Sequence, residues 1–325
     1  MKKLKMVLPN SKKWKISALD ISIFIILCVY VISLFIPIIW ATYTSFNDKL
    51  DYLRFYSLKK DFPTHLVLDN FKIALTEYVY HTSNGYEYTF VSMIGNSLIY
   101  SLGCAFFYTL TPLLVAYCAA RFKFKFSKVI YAFVIITMSL PIVGAMPSEI
   151  RMLKNLGIFD TFLGMFVLRA NFLSIYFLIF YAQFEMIPMT YSEAAKVDGA
   201  SNFKIMTRII IPQAVPTIIT VFLLSFISFW NDYQIPRFYL PSYPTISLGL
   251  FVYTNSPPLD LKAIPIQLAA LIGLTLPIII VFAILNKYLK LNVATGGIKG
   301  WKRMYCFYLC LFYHLLVFQD YKFIN

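Results

Sequence analysis

Six long stretches of this chain carry no charged residue, or almost none, and short polar segments separate them. They cover residues 21–47, 88–120, 129–148, about 170–188, 209–231 and 263–286. A helix needs about 20 apolar residues to cross the hydrocarbon core of a bilayer. Lipid offers no partners to backbone N–H and C=O groups, so such runs have to be helices. The pattern therefore predicts six transmembrane helices in an all-α integral membrane protein. The fourth stretch is the weakest, because Glu185 falls near its end.

Composition strengthens this reading. Of 325 residues, 59% are hydrophobic and 14% charged; a soluble domain is roughly half apolar and a quarter charged. The net charge of +14 does not point to a nucleic acid, because the basic residues sit between apolar runs. Arg121, Lys123, Lys125 and Lys128 follow the second run, and Lys196, Lys204 and Arg208 follow the fourth. Six lysines precede the first run, and Lys287, Lys290, Lys299, Lys302 and Arg303 follow the last. By the positive-inside rule, both termini and the 189–208 segment face the cytoplasm. The first apolar run is too long for a signal peptide and lacks a small-residue cleavage site, so it reads as a retained span. The expected layout is a basic N-terminus (1–20), a six-span domain (21–295, core about 88–290) and a tail (296–325).

Catalytic constellations are missing. No GxxxxGK[ST], HExxH or GxSxG pattern occurs, and 296–300 (Gly-Gly-Ile-Lys-Gly) has the wrong spacing for a phosphate loop. The five cysteines form no ligand set or disulfide framework. Cys28, Cys104 and Cys118, set in apolar runs, read as buried free thiols.

The polar segment at 189–212 has an order of its own. Thr190 and Ser192 can cap a helix starting near Glu193, with that carboxylate at the positive end of the helix dipole. Ala194 and Ala195 are strong helix formers with small surfaces. Gly199 can end the helix in the left-handed conformation. Ser201 can cap a second short helix, which Pro212 closes or kinks near the fifth span. Two readings of this elbow stand: a docking site for another protein, or an amphipathic helix resting on lipid.

Glu193-Ala194-Ala195, then Asp198-Gly199, then Ile211-Pro212, resembles the EAA loop of ATP-binding-cassette importer permeases. The wider form, from Ile187-Pro188 through Ser201, is similar to the maltose-type carbohydrate branch. Asn96-Ser97, Ala116-Tyr117, Arg121-Phe122, Leu140-Pro141, Pro147, Leu156-Gly157-Ile158, Thr161, Trp230-Asn231-Asp232 and the glycines near residue 300 extend the resemblance over roughly residues 15–300. It implies a type I importer permease fold, with the 189–212 loop docking on an ATPase subunit. It further implies a heterodimer with a second permease, an ATPase dimer, an extracellular or periplasmic solute-binding protein and a bacterial cell membrane. The function implied is translocation of a sugar by alternating access. No cofactor is expected on this chain, which is not an enzyme; ATP is used by the partner. Residues 301–325 extend past the usual end of that family. The alternatives are an ion-gradient-driven secondary transporter using an acid such as Glu185, or a permease of the same architecture for a non-sugar solute.

Trp230, Asn231, Asp232 and Tyr233 are the candidate substrate pathway, since sugar sites combine aromatic faces with polar groups. The competing reading is an interfacial aromatic belt with a helix-ending Asn-Asp. Glu149 and Arg151 read as solvated loop charges, and Pro141, Pro147, Pro188 and Pro277 as bends or ends.

Overall fold

The computed structural model describes residues 18–58, 66–82, 85–122, 124–140, 144–255 and 263–295. The chain divides into two units, one of residues 1–43 and 300–325 and the other of residues 44–299. In the first, the described part is helix α1 (Ala18–Ser45) up to Tyr43, an apolar helix with Pro37 inside.

The second unit is built around α4 (Phe90–Arg121), a 32-residue helix. Thr89 caps its start, accepting from Ser92 N. Around α4 pack α7 (Phe162–Arg169), α8 (Ile175–Met186), α11 (Ile211–Asn231) and α13 (Ile246–Asn255). Helix α14 (Ile264–Thr295) packs against α11, α13 and α3 (Asp69–Thr76). Of the 189–212 elbow, α9 (Thr190–Val197) and α10 (Asn202–Ile205) precede a π-helical turn, Met206–Ile210, that leads into α11. The core near the elbow is a cluster including Leu113, Tyr117, Phe177, Phe180, Phe184, Ala214 and Val221. The opposite surfaces of the long helices are apolar and exposed, as at Ile99 and Phe106 on α4 and Ile279, Ile280 and Ile284 on α14. For a chain whose solvent is lipid, that exposure is favourable.

Among the described residues, four helices are long and apolar enough to cross a membrane: Ile21–Ser45, Phe90–Arg121, Asn202–Asn231 and Ile264–Asn286. They match the first, second, fifth and sixth predicted runs. The third and fourth runs give shorter helices. Helix α5 (Ser127–Ser139) has 13 residues and α8 has 12. At 1.5 Å per residue they span about 20 Å and 18 Å, against a core of roughly 30 Å. Proline accounts for both stops. The residue before a proline is pushed out of the helical region, and Leu140 (ψ 121°) and Ile187 (ψ 120°), each followed by Pro, are extended. The third run does not continue to residue 148. Pro147 instead opens a separate polar helix, α6 (Met146–Asn155).

The chain is mostly helical, as expected, with one short strand pair beside the helices. The long segment after α1 holds α2 (Lys49–Leu58), α3 and an antiparallel hairpin of β1 (Val79–His81) and β2 (Glu87–Thr89), with Tyr80 facing Tyr88. The hairpin is tied to the segment before and within α13. Tyr88 OH donates to Ser242 O (2.7 Å) and Tyr78 OH to Gly249 O. At the start of α4, Asn96 Nδ2 donates to Pro244 O (3.1 Å), and Ser97 Oγ accepts from Ile246 N (2.7 Å). Cys104 is buried as expected, Cys28 is half-buried, and Cys118 is exposed on α4. Pro277 lies inside α14 without ending it. The basic N-terminus, Lys123, Pro141 and the tail from 296, with Cys306, Cys310 and His314, lie outside the described residues.

Helices α4 and α7 touch at Gly103, where a Cβ would stand 2.1 Å from the ring of Phe166, itself stacked on Phe107. We expect Gly103→Ala to displace that ring and destabilise the protein by about 1–3 kcal/mol, the range for overpacking. Thermal unfolding in detergent checks this, and adding Phe166→Leu should restore much of the loss.

Candidate functional site

The elbow is half buried and half open, and its sequence explains the division. Ala195, Ile205 and Ile210 are buried in the cluster formed by α4, α8 and α11. Glu193, Ala194, Lys196, Val197, Asp198 and Gly199 are exposed. Val197 on α9 is 88% exposed and Phe203 on α10 71%, an apolar surface that no described residue covers.

Helix α9 ends as a Schellman turn. Gly199 has φ 76°, its N–H donates to Lys196 O (3.0 Å), and Ala200 N–H donates to Ala195 O (2.9 Å). Asp198 is the residue that closes the helix. Ser201 caps α10, accepting from Lys204 N (3.3 Å). The N-terminus differs from expectation. The helix begins at Thr190 after Met189, whose carbonyl accepts from the N–H groups of Ser192 and Glu193, and no side chain caps it. Glu193 sits in the first turn. Pro212 does not close the second helix. It stands in the first turn of α11, where its missing N–H is least costly. Ile211 N–H reaches back to Met206 O across the π turn, so α10 joins the fifth predicted span through that turn.

Ser192 is engaged elsewhere. Arg121, the last residue of α4, is 8% exposed. Its Nη1 donates to Ile187 O (2.7 Å) and Phe184 O (3.3 Å), and its Nη2 to Ser192 Oγ (2.7 Å). The carbonyls of Phe184 and Ile187 belong to the C-terminal end of α8, stopped by Pro188, where the last carbonyls have no partner within the helix. Cations are favoured at such an end. The sequence reading counted Arg121 as an inside charge and as part of the Arg121-Phe122 match, without a partner. The signal that could have found it is an arginine closing one long apolar helix in a chain whose fourth apolar run ends at Ile-Pro.

At the other end of α4 and α11, the four pathway candidates are already engaged within this chain. Trp230 is 1% exposed, and its indole N–H donates to Leu274 O (3.0 Å). Asn231 Nδ2 donates to Ile227 O (3.0 Å). Asp232 Oδ1 accepts from Gln234 N (3.0 Å) and Ile235 N (3.1 Å), capping α12 (Gln234–Tyr239), and Oδ2 accepts from Tyr100 OH (3.2 Å). Tyr233 stacks on Phe251 at 4.2 Å. Glu149 is not a free loop charge: it accepts from Tyr239 OH at 2.5 Å. Burial first, and then that bond and the Glu149 charge, push the Tyr239 hydroxyl well above its ordinary value. Glu185 is exposed and accepts from Tyr181 OH (3.3 Å). Among the described residues, no group of three or more His, Cys, Asp or Glu side chains could hold a metal ion.

Comparison with known proteins gives the family and the fold. Residues 110–294 match the family described as "Binding-protein-dependent transport system inner membrane component". The melibiose/raffinose/stachyose import permease protein MelC of Bacillus subtilis is 29% identical over 277 residues, 82% of this chain and 92% of its own length. The probable starch degradation products transport system permease protein AmyC of Thermoanaerobacterium thermosulfurigenes is 28% identical over 78% of this chain and 88% of its own. In fold, the chain resembles a chain from the crystal structure of a bacterial transporter that imports the acidic polysaccharide alginate, with TM-score 0.66 and 20% identity over 83% of this chain and 96% of that one. With more than half its length matched and the fold shared, the chain belongs to the family of binding-protein-dependent transport system inner membrane components.

Proposed function

We propose that the chain is the permease subunit of an ATP-driven carbohydrate importer, moving sugar by alternating access. The elbow carries the reading. Its inner face is fixed in the helical core, and its outer face offers small, charged and apolar side chains to a partner. A rigid body of this kind passes on a push, where a floppy loop would absorb it. The names of the relatives support a sugar as cargo. On this reading, ATP is hydrolysed by a separate ATPase dimer docked on Glu193, Ala194, Ala195, Asp198 and Gly199, with Ile211 and Pro212 leading the movement into α11. The positive-inside pattern of the basic segments supports a cytoplasmic side for both termini and the elbow in a bacterial cell membrane, with the third and fourth apolar runs, which contain α5 and α8, as the remaining two of six crossings. A second permease completes the pathway, and a solute-binding protein delivers sugar at the other face. We also place Trp230, Asn231, Asp232 and Tyr233 near the outer end of that pathway, with the stacked Tyr233 and Phe251 as its aromatic surface and Trp230 as its enclosed support.

Co-expression with the neighbouring transport subunits, purification and uptake in proteoliposomes test the reading. We expect ATP-dependent uptake of at least one of melibiose, raffinose, stachyose or trehalose; uptake driven by an ion gradient without ATP would overturn it. Gly199→Pro should lower uptake more than ten-fold while the protein still inserts. Proline's φ near −65° cannot meet the φ of 76° at this turn, and the N–H given to Lys196 is lost. Glu193→Lys reverses the charge at the positive end of α9, and a pull-down should recover several-fold less ATPase subunit. Tyr233→Ala should raise several-fold the sugar concentration for half-maximal uptake.

A further inference from the structure

We infer that Arg121 is the positioning residue that couples the elbow to the central helix α4, through the hydroxyl of Ser192. The inference rests on the importer reading above and adds a route for the movement. The two terminal nitrogens of Arg121 have separate partners. Nη1 serves the end of α8, at Ile187 O and Phe184 O, and Nη2 serves α9, at Ser192 Oγ, 2.7 Å away. One planar guanidinium holds both directions at once because its donors form a fixed fork. A lysine ammonium, a single point on a flexible stem, does not reproduce that geometry.

The site is built to hold this group. Arg121 is 8% exposed, and among the described residues no carboxylate pairs with it. Its charge is balanced by carbonyl dipoles at the C-terminal end of α8, the favourable place for a cation. Hydrogen bonds from a charged donor are stronger than those between neutral groups, so neither partner is released easily.

The topology gives the link its consequence. Along the sequence, α9 reaches the bundle on one side through the Ile187-Pro188 break and on the other through the π turn. Both are departures from a continuous α-helical ladder. Among the described residues, the Arg121–Ser192 bond is the one side-chain hydrogen bond from α9 to another helix, and it bypasses both breaks. It lands on α4, which packs against α7, α8, α11 and α13 and whose far end binds the segment before α13. A displacement of α9 is thereby delivered to the helix that touches most of the bundle.

A purely structural role, closing the end of α8, would need Nη1 alone. Ser192→Ala removes only the Nη2 bond and separates the two roles. The test uses the full complex in proteoliposomes, with the best transported sugar of the panel above, and reads sugar imported per ATP hydrolysed. We expect this ratio to fall about five-fold or more in Ser192→Ala, the low end of typical coupling effects. Ser192→Thr, which keeps a hydroxyl, should recover most of it, and Arg121→Lys should lower the ratio as Ser192→Ala does. A ratio equal to the wild type in Ser192→Ala, or uptake and hydrolysis falling in proportion, would overturn the link while leaving the importer reading intact. Wild-type vesicles that import none of the sugars with ATP would overturn both.

Discussion

A helix that ends inside a lipid-embedded bundle leaves carbonyls that water cannot reach, and each needs a donor. Among the described residues, the end of α8 poses that problem. Pro188 forces Ile187 out of the helix and supplies no N–H of its own. Arg121 meets the demand from a neighbouring helix, and its burial in turn requires that those carbonyls stay where they are. The two constraints lock each other. Because α9 begins three residues after Ile187, the position of the elbow depends on the same lock.

The elbow itself shows how short side chains and tight turns make a rigid object from few residues. Ala195 faces the core and Ala194 faces out. Neither has a side chain that could swing, so contacts on either face act on the backbone directly. The Schellman turn at Gly199 fixes where the chain leaves α9, and Ser201 fixes where α10 begins. A segment of this kind changes position as a body or not at all.

Much of this was legible in the sequence, and the failures have physical causes. The four long apolar helices, the glycine turn and the Ser201 cap follow from hydrophobic length, positive φ and side-chain capping, all of which are local. The shortening of the third and fourth runs follows from X-Pro geometry, which apolar counting ignores although the prolines are visible. The Ser192 cap failed because the helix starts at Thr190, which puts Ser192 inside its first turn, where the hydroxyl accepts instead from an arginine 71 positions away. Glu149 read as solvated because its partner Tyr239 is 90 positions away. Trp230 read as a candidate open face because spacing does not tell whether an aromatic ring at a helix end points into the core or away from it. The β1–β2 hairpin was missed in a segment of mixed charge and many tyrosines, where period-2 alternation over three residues carries little signal.

The two ends of α4 are held in different ways, and the difference bears on how movement passes between them. At the elbow end, one charged fork holds two neighbouring elements, with partners that are mostly backbone carbonyls. At the far end, Asn96 and Ser97 hold the backbone at Pro244 and Ile246, and Tyr100 holds Asp232. From Ser97 to Arg121 the helix rises about 36 Å at 1.5 Å per residue, with Pro112 in its interior. The helix is stiff in compression because its own hydrogen bonds run along its axis, and both ends are tied by bonds with defined directions. On the proposed link, α4 is the element that would carry a displacement at Arg121 toward Ser97 and Tyr100. Tyr100 places that far end against Asp232, within the segment proposed for the substrate pathway. The chain thus has a continuous set of polar ties, carried by one helix, from the surface where a partner would push to the region where a sugar would pass.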